Sequence, residues 1–388
     1  MINQLLFGIG LVMLSALLTL AQADEITMSG AAAVNASYND NLLMNEDRVG
    51  GWYARAEASA RFRWAADQAL SIGVEPRIAS SRYQDRPDLD HTQRYLTMAL
   101  QSSAEKTGQN LTLSGLEDST LTSELGVTGL AAVNKTHRSA SAVYATNHFF
   151  SPSLEGALQL SSSIDRYLDA VGTGLIDYQY STGSATINYK LSDRSAALIQ
   201  VGAGVLLVPN QSNLIAGNDY DKKDFDLMIG LTHSITPQWK ASISAGPSQV
   251  RSSQSVDKGS AYNAALTHTS ESMTMNLQLG RDVTPNGYGV LSRRSQVKFD
   301  VNKTINEKLS SGISLVSVRN NYLKTDNDKA VVAVDYREIN GNIRWAFYQT
   351  WSLAFSAGYA WQDQGTREAK RNFASLAISW KGLDQRLN

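Results

Sequence analysis

Apolar and polar side chains alternate one by one along much of this chain, and the stretch from Trp52 to Trp64 shows it most clearly. One parity reads Trp52, Ala54, Ala56, Ala58, Ala60, Phe62 and Trp64, while the other reads Tyr53, Arg55, Glu57, Ser59, Arg61 and Arg63. A period of two belongs to a β-strand, whose successive side chains point to opposite faces. Here aromatics stand at both ends of the apolar face and charges line its reverse, the pattern of a strand with lipid on one side and water on the other.

The rhythm recurs in about eighteen segments, each near the roughly 9–11 residues that a tilted membrane strand needs. Clear outward faces are Leu70-Ile72-Val74-Ile78, Phe225-Leu227-Ile229-Leu231, Met273-Met275-Leu277-Leu279 and Trp351-Leu353-Phe355-Ala357-Tyr359-Trp361. The connections alternate between short ones, such as Ser151–Ser153 and Thr236–Gln238, and long ones, such as Asn39–Gly50, Thr120–Thr136 and Thr284–Arg293. Barrels of outer membranes have tight periplasmic turns and longer external loops. The pattern therefore predicts one all-β unit, a single-chain transmembrane antiparallel β-barrel over 24–388, with about eighteen strands and sixteen or twenty as alternatives.

The N-terminus fits that location. Residues 1–23 have an apolar core from Leu5 to about Leu20 and end in Ala21-Gln22-Ala23, a small-x-small site for signal peptidase, so cleavage is expected after Ala23. No Lys or Arg precedes the apolar stretch, and a retained helix is the alternative, although the stretch is short for a span. At 43% apolar and 18% charged residues with a net charge of -1, the chain has no basic surface for a nucleic acid. It has no cysteine, which excludes disulfides and thiolate metal sites.

Inward parity supplies the candidate pore-lining residues: Arg55, Glu57, Arg61, Arg63, Glu75, Arg77, Asp224, Asp226, Lys240, Lys298 and Asp300. Their signs balance, which argues against strong ion selectivity, and they serve either as a transport track or as a salt-bridged structural wall. An aqueous channel is what 16–18 strands enclose unless something fills it. Arg94 and Arg281 fall on outward parity close to strand ends, where the expectation is a rim position, either as solvated charges or with lipopolysaccharide phosphates as partners. The loop stretch Leu125 to Val133, with Leu125, Val127, Leu130 and Val133, is apolar for a connection facing water. It either folds into the pore as a constriction, extends the flanking strands above the membrane, or adds another hairpin that raises the count to twenty. The last strand runs Phe373 to Trp380, so Trp380 is the expected terminal aromatic for the barrel-insertion machinery, followed by a tail from Lys381 to Asn388.

Catalytic and metal chemistry find little here. Five histidines, His91, His137, His148, His233 and His268, lie on separate strands, and no G-x-S-x-G nucleophile elbow is present. Asp219, Asp221 and Asp224, and separately Asp326 and Asp328, complete no EF-hand loop. The expectation is a barrel that is not an enzyme and carries neither metal nor cofactor.

Several stretches taken in order resemble outer-membrane β-barrels found with exopolysaccharide synthesis and export systems in Gram-negative bacteria. They are Ala36-Ser37-Tyr38-Asn39-Asp40-Asn41, Asp118-Ser119-Thr120-Leu121-Thr122-Ser123-Glu124-Leu125, Asp177-Tyr178 leading to Tyr189-Lys190-Leu191-Ser192-Asp193-Arg194, and Val283-Thr284-Pro285-Asn286-Gly287-Tyr288-Gly289. The resemblance implies a conduit or accessory for a secreted polysaccharide, with the polymer and its periplasmic export apparatus as partners. Two other readings stay open, a non-conducting surface barrel whose loops bind a polymer, partner or surface, and a general diffusion porin.

Overall fold

The computed structural model describes residues 25–46, 48–66, 69–121, 134–170, 172–209, 221–252, 255–323, 334–365, 367–382 and 385–387. The segment 1–23, expected as a signal peptide, and the apolar loop stretch 125–133, expected as a constriction or strand extension, lie outside them. Among the described residues the strands are β1 Glu25–Asn39, β2 Gly51–Ala66, β3 Leu70–Tyr83, β4 His91–Ser103, β5 Thr107–Ser119 and β6 Thr136–Ser151. Next come β7 Leu154–Leu168, β8 Tyr178–Ser192, β9 Ser195–Leu207, β10 Lys222–Ser234, β11 Trp239–Arg251 and β12 Val256–Thr269. The series ends with β13 Met273–Pro285, β14 Leu291–Thr304, β15 Leu309–Tyr322, β16 Val334–Trp345, β17 Trp351–Asp363, β18 Glu368–Lys381 and the short β19 Gln385–Leu387.

Each strand from β1 to β17 pairs antiparallel with the next, and β18 pairs back onto β1 from Ala31↔Lys381 to Asn39↔Phe373, so the sheet closes into an 18-strand barrel. Closure matters because hydrocarbon offers no hydrogen bonds to a free strand edge. The chain does not stop pairing at Trp380. Beyond a break at Gly382, whose N–H donates to the Gly30 carbonyl at 2.7 Å, β19 continues along the same edge of β1 with Ile26↔Leu387 and Met28↔Gln385. The tail that follows Trp380 is thus in part a further rung of the seam.

The alternation read from the sequence decides which face meets lipid. Ile78, Ile187, Ile229, Ile243, Ile313 and Phe355 are all exposed on the outer surface. Aromatics bound this band, with Trp239, Trp345, Tyr348, Trp351 and Trp380 at the short-turn end and Tyr38, Trp52, Tyr262 and Tyr359 towards the other. Tyr38 and Trp52 meet across β1 and β2 with ring centroids 5.2 Å apart. An apolar belt between two aromatic girdles on a closed barrel is the surface of an outer-membrane protein.

The inner face is graded along the barrel axis. At the short-turn end the inward-parity residues Arg61, Arg63, Lys240 and Lys298 are exposed. At the long-loop end Ser37, Ala79, Gln93, Asp118, Leu206, Asn320 and Gln362 are buried. The lumen is therefore open towards the periplasmic side and packed towards the outside.

One difference from the sequence reading shapes the rest. The stretch Thr284–Arg293, expected as a long loop, is half strand, and its turn is confined to residues 286–290. The Asn286 side chain accepts from the Tyr288 N–H at 3.0 Å, and Gly289 takes φ +65°, a left-handed conformation that suits glycine.

The lipid belt makes a direct prediction. Replacing Ile229, 66% exposed on the outer face of β10, by Arg is expected to destabilise the folded barrel by about 2–4 kcal/mol. Equilibrium unfolding in lipid vesicles measures this, and an effect near zero would place that face away from the hydrocarbon.

Candidate functional site

The wall splits at one place. β12 and β13 are paired only from Thr269↔Thr274 to Tyr262↔Arg281, although β12 runs on to Val256 and β13 to Pro285. On either side the ladders stay intact: β11–β12 pairs as far as Arg251↔Val256, β13–β14 as far as Pro285↔Leu291, and β14–β15 as far as Ser292↔Tyr322. Above the split, the β13–β14 hairpin leaves the wall and enters the lumen.

Its contacts establish the direction. Val283, Leu291 and Arg293 share the parity of the lipid-facing Leu279 and Val297, yet Leu291 is fully buried and packs with Tyr167, Tyr178, Leu206, Val208, Val250 and Leu323, with Val283 against the same cluster. Tyr178, Leu206 and Val250 have inward parity, so the outer face of the hairpin lies on the inner wall of the barrel. Arg293, 5% exposed, donates through Nε and Nη2 to Asp257 Oδ1 at 2.9 and 2.6 Å and through Nη1 to Ser248 Oγ at 2.5 Å. At the tip the Gly287 carbonyl accepts from the Ile176 N–H at 2.8 Å, fastening the hairpin to the β7–β8 connection. Apolar burial and a forked, charge-assisted bond thus hold it from its flank to its end.

Beneath the hairpin lies a cavity of about 430 Å³. Asp224 and Asp226 border it from β10, Tyr180 and Gln200 from β8 and β9, and Arg281, Gln278 and Gln296 from β13 and β14. Asp224 accepts from the Tyr180 hydroxyl at 2.7 and 3.1 Å. The carboxylates lie opposite Gly204 and Gly202 in register, where a Cβ would collide with them. Asp226 Oδ2 and Arg281 Nε are sealed from solvent without a hydrogen-bond partner.

This geometry corrects the position of Arg281. Outward parity puts it at the outer rim, but because the strand pair turns inward from this residue onward, Arg281 borders the internal cavity instead. Arg94 does stand on the outside near the long-loop end. It pairs with Glu117 at 2.5 Å, and Glu117 also takes Arg138 at 2.7 Å, while Arg166 lies opposite Arg138 in register. The sequence reading missed Glu117, Arg138 and Arg166 as neighbours of Arg94.

The remaining lumen residues divide into two groups. Arg55 and Arg77 both bind Glu57, at 3.2 and 2.8 Å, Arg77 also lies 4.9 Å over the Tyr95 ring, and Arg61 pairs with Glu75 at 2.7 Å. These are a triad around Glu57 and a separate Arg61–Glu75 pair, both on β2 and β3. Arg63, Lys240, Lys298 and Asp300 are outside both and make no ion pair among the described residues. Lys298 faces Gln278 and Asp300 faces Asn276 in register.

A second polar cluster closes the wall near the external mouth. The His137 ring is held between two carboxylates, Nδ1 at 3.2 Å from Asp118 and Nε2 at 3.0 Å from Asp165, and stacks on Tyr167 with centroids 4.9 Å apart. All three polar side chains are nearly buried. No other histidine is placed comparably: His233 meets Ser195 Oγ at 2.9 Å on the outer face, and His268 packs on Trp239. No group of three or more metal-ligating side chains exists among the described residues.

No protein-family model matches the chain, and no curated protein is similar to it. Among solved structures it is similar to Pseudomonas aeruginosa OpdO, at 12% identity over 94% of this chain and 98% of that one, with a TM-score of 0.49. Acinetobacter baumannii OccAB4 aligns at 11% identity over 94% and 99%, with a TM-score of 0.48. P. aeruginosa OccK1 (OpdK) aligns at 12% identity over 93% and 99%, with a TM-score of 0.49. The likeness is one of barrel form, with no residue correspondence implied.

Two substitutions probe the packed half. Arg293→Ala removes the fork on Asp257 and Ser248 and is expected to speed hydrogen exchange of the β13–β14 hairpin amides by loosening the hairpin; unchanged exchange would show that the apolar cluster alone holds it. His137→Leu leaves two buried carboxylates without their shared partner. The expected loss is about 3–5 kcal/mol in urea unfolding, the range for breaking a buried pair, and a neutral effect would mean that water replaces the ring.

Proposed function

We infer that the protein is an outer-membrane channel for small polar solutes. The carrying observation is the graded lumen: charged side chains are exposed at the periplasmic end, and the space under the infolded hairpin is about 430 Å³. A further inward-facing space of about 380 Å³ is bordered by Gln101, Asn110, Asn147 and Gln159. Spaces of about 300–1,000 Å³ with a few convergent polar groups suit small molecules.

The diffusion-porin alternative therefore has better support than the polysaccharide conduit implied by the family resemblance. A polymer needs a continuous wide track, whereas the external half of this lumen is occupied by Leu206, Leu291, Arg293 and their neighbours. Nothing in the described residues favours a polysaccharide or its export apparatus in particular.

Purified barrel in a planar bilayer tests the channel reading. Stable conductance steps in KCl are the expected outcome. A membrane that stays silent, with protein shown to be inserted, would favour the non-conducting surface barrel.

A further inference from the structure

Opposite charges border the cavity beneath the β13–β14 hairpin, and they are not used up on each other. On the β10 wall stand Asp224 and Asp226, side by side on one face of the strand. Asp224 is bonded to the Tyr180 hydroxyl, a neutral partner, and Asp226 makes no ion pair among the described residues. The β13 side brings Arg281, also without an ion pair among the described residues. Asp282, which also borders the cavity, is taken by Arg294 at 3.0 Å, so Asp224, Asp226 and Arg281 are the charges of the lining left without an ion pair among the described residues. A cavity in which the ammonium-seeking and carboxylate-seeking groups are left apart, with Gln200, Gln278 and Gln296 between them, is complementary to a solute carrying both charges.

We propose that this cavity binds small zwitterions, with Asp224 and Asp226 taking the ammonium and Arg281 the carboxylate. The glycines at 202 and 204 let the carboxylates lie against the wall, which leaves the space in front of them to the solute. The hairpin is what assembles the site. Were β13 to keep its pairing with β12 to the top, Arg281 would face outwards and the cavity would carry acids only.

The inference rests on the channel reading for its physiological sense, but binding is measurable without conduction. The test is titration calorimetry of detergent-solubilised barrel with glycine, β-alanine and γ-aminobutyrate, which differ in charge separation, beside methylammonium and acetate, which carry one charge each. At least one zwitterion is expected to bind ten-fold or more tightly than both singly charged probes. Asp226→Asn and Arg281→Gln should each weaken it ten-fold or more, while leaving heat-modifiable migration of the folded barrel intact. Equal binding of zwitterion and methylammonium, or full affinity in Arg281→Gln, would overturn the proposal, as would the absence of binding by any of the three zwitterions. A barrel that binds zwitterions but is silent in a bilayer would remove the channel reading and leave the site standing; one that conducts without binding would do the reverse.

Discussion

Backbone hydrogen bonding in a medium that supplies none is the constraint on which this structure depends. Eighteen strands crossing lipid leave no tolerable edge, so the first must find the last. The β1–β18 seam meets this requirement, and β19 adds three further pairings along β1 after the break at Gly382. With the edges gone, the sheet has one surface for lipid and one for water, and the alternation of side chains follows.

Against that constraint, the unpaired tops of β12 and β13 are informative. Pairing is given up only towards the external end, above Tyr262 and Arg281, where lipid no longer forbids it. What replaces the lost ladder is compact: Leu291 and Val283 enter the cluster around Leu206 and Tyr178, and Arg293 forks onto Asp257 and Ser248. Taking Arg281 and Arg293 off the outer surface also removes two guanidinium groups from beside the bilayer. The same movement narrows the lumen and builds the mixed-charge cavity, so one local exchange of hydrogen bonds for packing produces the candidate site.

Much of the fold was legible from Trp52–Trp64 and its repetitions, because a period of two states which side of a strand is buried and which is not. The short and long connections were legible too, since turn length follows the side of the membrane. Thr284–Arg293 was misread as a long loop because Pro285, Asn286, Gly287 and Gly289 are turn formers, and their composition does not reveal how short the turn is. The inward parity of Arg55, Glu57 and Arg77 is readable along single strands, but their union around Glu57 depends on cross-strand register. Arg94 was found without Glu117 and Arg138 for the same reason.

Parity along single strands, then, is a local property, and the amino-acid order by itself determined it: an all-β chain, a lipid face, a water face and about eighteen crossings. Which inward residues meet across the lumen was settled only by tertiary structure. Arg281 and Arg293 lie on the outward parity of neighbouring strands, as do Arg94 and Arg138 elsewhere in the sheet, so the sequence does not single out the infolded hairpin. Their parity is compatible with either a solvated rim or an inward fold. The choice between them depends on whether a packed partner waits on the inner wall, and Tyr178 and Leu206 come from β8 and β9, which the linear order does not bring beside β14.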